Sequence, residues 1–93
     1  MTPEETVQRA EHARQILDDA LVKEALDAIE REIIEQWEAC PARDKEGREL
    51  LWQYYKHAKK FRGIFQGAIE SGKVVQLRAQ QSLKDRALNV IGR

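Results

Sequence analysis

The sequence predicts an all-α fold, an antiparallel αα-hairpin of two long helices with a shorter helix before it and a weaker one after it. Three observations carry that expectation. The 93 residues are 42% hydrophobic and 34% charged with only two prolines and five glycines, a composition that suits long helices. Apolar residues recur at three- and four-residue spacing through most of the chain, the period of an amphipathic helix. Helix-starting and helix-stopping residues divide that pattern at few places. A chain of this length fits one domain, 1–93, with 1–19 as an N-terminal helix, 20–72 as the hairpin and 73–93 as a basic C-terminal segment.

The elements follow in order. Thr2-Pro3-Glu4-Glu5 reads as a helix start: threonine caps free amides, proline is tolerated at the first helical position, and Glu5 completes a capping box. Val7, Ala10, Ala13 or Arg14, and Leu17 then mark one face, and Asp18-Asp19 predicts a break with a new cap. The second helix spans about 20–39, with Val22, Leu26, Ile29, Ile33, Trp37 and Cys40 on its apolar stripe. Pro41 disfavours helix at Cys40, and Asp44 caps the next helix. That third helix is expected over 45–71, with Leu51, Tyr54, Ala58, Phe61, Phe65 and Ala68 facing the second and Gly72 as its stop. A five-residue connection makes helices two and three antiparallel neighbours. Beyond Gly72, Val74, Val75, Leu77, Ala79, Leu83, Ala87 and Val90 permit a separate fourth helix that docks, extends freely or frays.

Sixteen basic and sixteen acidic residues cancel, but not evenly along the chain. Residues 1–41 hold eleven acids against four bases, 42–72 seven bases against four acids, and 73–93 five bases against Asp85 alone. Complementarity between packed helices explains such an order, and so does a surface for nucleic acid or an acidic partner. At 100° per residue, Arg48, Trp52, Tyr55, Lys56, Lys59 and Arg62 gather on a face of the third helix away from the stripe. Tryptophan contributes disproportionately at interfaces, so Trp52 there implies a second contact layer. Packing by helix one or four, a second protein, or an unpaired nucleic-acid strand stacking on Trp52 or Tyr55 above Lys56, Lys59 and Arg62 would each supply one. Gly63 and Gly67, four apart beside this face, would let another helix approach closely or would simply weaken the helix.

Catalytic patterns are missing. His12 and His57 lie in different helices, Cys40 stands alone, and no Glu-x-x-His pair occurs, so neither a metal nor another cofactor is expected. No GxGxxG, Walker, GxSxG or HExxH motif occurs, and the protein is read as no enzyme. One cysteine excludes an internal disulfide framework and makes a reducing compartment the simplest setting. Apolar runs such as Ala20-Leu21-Val22 fall far short of the roughly 20 residues that span a bilayer.

Leu17-Asp18-Asp19-Ala20-Leu21, Glu24-Ala25-Leu26, Trp37, Asp44-Lys45-Glu46-Gly47-Arg48-Glu49-Leu50-Leu51-Trp52 and Ile69-Glu70-Ser71-Gly72-Lys73 resemble segments of small helical-hairpin proteins of tailed bacteriophages. The resemblance covers roughly residues 15–75, and the chain departs from it at Ala20, where such proteins have proline. It implies a virion or assembly role, located in the virion or the host cytoplasm, and transfers no functional residue. The expectation is a non-enzymatic structural or assembly protein that acts by homo-oligomerisation or by binding a phage structural protein. A nucleic-acid-binding accessory factor, for example in genome packaging, and a small acidic inhibitor of a host enzyme are the alternatives.

Overall fold

The computed structural model describes the backbone of residues 1–91 and the side chains of residues 1–89; the expectations for the Val90 side chain and for Arg93 fall outside these. The described chain is helical apart from the caps and one loop, with α1 over Pro3–Asp18, α2 over Ala20–Ala39 and α3 over Lys45–Ile91. Each start has a local cause. The Glu5 amide donates to Thr2 Oγ1 at 3.1 Å, and Pro3 opens α1 where its missing N–H costs nothing. Asp19 closes α1 in an extended conformation and caps α2, its Oδ1 accepting from the amides of Leu21 and Val22 at 3.0 Å. The loop after Ala39 ends at Asp44, whose Oδ1 accepts from the Gly47 amide at 3.0 Å. Gly47 leaves room for that carboxylate, since a Cβ there would overlap it.

The third helix does not stop at Gly72. It runs without interruption for 47 residues, so the expected fourth helix is the last part of α3. Glycine ends helices by adopting positive φ, and none of the described glycines does so. Gly72 is instead buried at a crossing: a Cβ built on it would overlap the Ala10 side chain and sit 3.6 Å from the Thr6 carbonyl oxygen. Only a residue without a side chain lets the α1 backbone come so near.

Contacts follow a consistent order. Near the loop Arg48 lies over Trp37; further along, Lys59 and Arg62 pair with Glu30 and Asp27; beyond the α1–α2 break, Phe65 and Ala68 share a crevice with Ala13 and Ile16; then Gly72 meets Ala10, and Val75 and Ala79 line a crevice with Val7. Past Ala79, residues 80–89 are all exposed.

Along α3 the residues turned inward are Arg48, Leu51, Tyr55, Ala58, Arg62, Phe65, Ile69 and Gly72, which alternate by three and four and are each half-buried or buried. This corrects the expected stripe at two positions: Tyr54 and Phe61 are 50% and 54% exposed. Tyr54 and Tyr55 flank the Leu51–Ala58–Phe65 line on opposite sides, so helical spacing alone does not choose between them. Arg62 reaches the α2 carboxylates from the Tyr55 side, and its stem packs while its guanidinium is paired. On α2 the expected stripe divides in the same way. Leu26 is buried and Val22, Ile33 and Cys40 are half-buried, while Ile29 and Trp37 stay largely exposed.

Candidate functional site

The six residues expected on a free face of α3 fall into two groups. Arg48, Tyr55 and Arg62 belong to the contact with α2, and Trp52, Lys56 and Lys59 stand at its edge. Their separation from the core is therefore corrected: a 3.5-residue repeat carries the inward line through Tyr55 and Arg62, leaving Trp52 beside that line rather than on a separate face. Neither α1 nor the last part of α3 covers Trp52, which is 52% exposed.

Arg62 is the centre of the polar part. Its Nε donates to Glu30 Oε1 at 3.2 Å and its Nη2 to Asp27 Oδ1 at 3.1 Å, while Lys59 Nζ donates to Glu30 Oε2 at 3.4 Å. Glu30 and Arg62 are mostly shielded from solvent, so their pair is screened less than a surface pair, whereas Asp27 and Lys59 are half or more exposed. Two of the three bases assigned to phosphate contacts are thus already neutralised within the chain. Lys56 is not: it makes no ion pair among the described residues, and its ammonium lies 5.5 Å from the Trp52 ring centre.

Next to this network, Ile33, Ile34 and Trp37 of α2 and Leu51, Trp52 and Tyr55 of α3 line an open notch of about 280 Å³. Its rim is cationic and aromatic. Arg48 Cζ sits 4.7 Å from the Trp37 ring centre, Lys59 Nζ 5.4 Å from that of Tyr55, and Trp52 stacks on Tyr55 with centroids 6.3 Å apart. Polar atoms are scarce on its walls, so it suits an apolar side chain better than a polar small molecule.

The other candidates stay apart. Gly63 and Gly67 face open space, and the close helix approach they suggested occurs at Gly72. The signal was present in the sequence as Ala10, Ala13, Ala68 and Gly72, small residues at helical spacing in two segments. Cys40 is half-buried, with its Sγ 3.8 Å from the Pro41 carbonyl oxygen and from Asp44 Oδ2. Among the described residues no three histidine, cysteine or acidic side chains converge as metal ligands would, and no helix is long and apolar enough to cross a membrane. Comparison with protein-family models, with curated proteins and with solved structures finds no match to this chain.

Proposed function

We propose that the chain folds as an antiparallel hairpin of α2 and α3, steadied by α1, and acts without catalysis by associating with protein surfaces, itself included. The contact order from Trp37–Arg48 to Ala10–Gly72 supports the hairpin. Surface area carries the association. The chain exposes 7721 Å², whereas a compact monomer of 10.8 kDa would expose about 5,500 Å². Its radius of gyration is 20.8 Å against about 12 Å for a compact chain of this length. Among the described residues only Ala10, Ala13 and Leu26 are buried apolar side chains, while Ile34, Trp37, Trp52, Tyr54, Phe61 and Ile64 lie largely in the open. Apolar surface on this scale is what assembly proteins cover on binding.

The resemblance to phage hairpin proteins adds a setting to this reading, a virion or its assembly in the host cytoplasm, with a phage structural protein as the further partner. Nucleic-acid binding is the weaker reading, because Lys59 and Arg62 already hold carboxylates. Light scattering across a concentration series tests the proposal. A mass above the monomer at micromolar concentration is expected. A strict monomer with a cooperative melt, and without binding of a dye that reports exposed apolar surface, would overturn it.

A further inference from the structure

Resting on that reading, we infer that the notch is the centre of a two-fold homodimer in which α3 of each copy lies across α2 of the other, with Trp52 seated between Ile34 and Trp37 of its partner copy. Charge selects both the occupant and the arrangement. The α2 helix carries six acids against two bases, and residues 45–62 of α3 carry six bases against two acids. Only Asp27, Glu30, Lys59 and Arg62 of these pair between the two helices; among the described residues α2 keeps four unpaired acids against Arg31, and residues 45–62 keep four unpaired bases against Glu46 and Glu49. A second copy therefore brings a net basic helix to the acidic one and a net acidic helix to the basic one.

Two layers of antiparallel helices stack with two-fold symmetry in two ways. An axis across the helices sets α2 on α2 and α3 on α3, acid on acid and base on base. An axis along the helices sets α2 on α3 and keeps equal heights together, so Trp52 arrives at the level of the notch that its own helices form. The second arrangement satisfies the charges. Exposed apolar side chains permit it: Ile34, Trp37 and Trp52, which line the notch, are 44%, 45% and 52% exposed. No residue of α1 lines the notch, so the face is open.

The test combines mass with distance. Full-length protein is expected to be a dimer by light scattering, and Trp52→Glu and Ile34→Glu are each expected to weaken dimerisation at least about a hundredfold while far-ultraviolet circular dichroism stays helical. In a Cys40→Ser background, a spin label at Ser82→Cys reads the axis. Residue 82 lies about 45 Å along α3 from Trp52, so an axis along the helices holds the two labels within about 40 Å, and an axis across them separates the labels by about 90 Å. The long distance would overturn the arrangement. A dimer that survives both glutamate variants would overturn the notch as its centre while leaving self-association intact. A monomeric wild type whose tryptophan fluorescence is quenched by a single-stranded oligonucleotide at physiological salt would overturn both readings in favour of nucleic acid.

Discussion

Gly72 of α3 and Ala10 of α1 meet so closely that the space of a Gly72 side chain is already filled by the Ala10 methyl group. The contact joins α1 to the far part of α3 and sets how near the two backbones lie. It also reverses the usual effect of glycine in a helix. Gly72→Ala gains about 1 kcal/mol in helix propensity but overpacks the crossing, which costs about 1–3 kcal/mol. Gly63→Ala and Gly67→Ala gain the propensity with no atom within 4 Å to oppose it. Chemical denaturation is expected to show Gly72→Ala less stable than wild type and the other two more stable by about 0.5–1 kcal/mol each. Ala10→Gly should restore much of the loss in Gly72→Ala, because it returns the missing volume.

Arg62 ties α3 to Asp27 and Glu30 of α2. Arg62→Met keeps the packed stem and deletes the charge, leaving a mostly shielded Glu30 with Lys59 alone. A loss of about 1 kcal/mol is expected at low salt. The difference between variant and wild type should shrink in 1 M salt, where screening acts over about 3 Å. A difference that does not change with salt would show that Arg62 acts through its stem rather than its charge.

Phe61 and Leu26 separate surface from core. Both belong to apolar stripes in the sequence, yet Phe61 is more than half exposed and Leu26 is only 7% exposed. Leu26→Asp buries a carboxylate without a partner and should cost more than about 3 kcal/mol. Phe61→Asp loses its edge contact with Phe65, at 5.3 Å between centroids, and should cost about 1 kcal/mol. Thermal melts of equal depression for the two variants would place Phe61 inside.

Deleting residues 80–93 tests the continuity of α3. The last contacts with α1 involve Val75, Gln76 and Ala79. The shortened protein should lose helical signal in proportion to the helix removed, with its unfolding midpoint within a few degrees of wild type. A large fall in midpoint would show that the far end of α3 supports the rest.

Features whose cause lies within a few residues are legible from the amino-acid order. Thr2 and Pro3 start α1, Asp19 divides α1 from α2, Pro41 and Asp44 bound the loop, and α2 occupies 20–39 as expected, because capping hydrogen bonds and the proline ring act on their own turn of chain. The charge order was equally plain, and so was Trp52 as a residue without a place in the core. Which flank of α3 turns inward, and whether its helix ends at Gly72, depend on contacts between segments far apart in the chain. Tyr54 and Tyr55 lie at similar angles from the Leu51–Ala58–Phe65 line, and the choice fell to Arg62 meeting carboxylates more than thirty residues away. A glycine carries the same local signal as a helix stop and as a close crossing. Ala10, sixty-two positions earlier, made it the second.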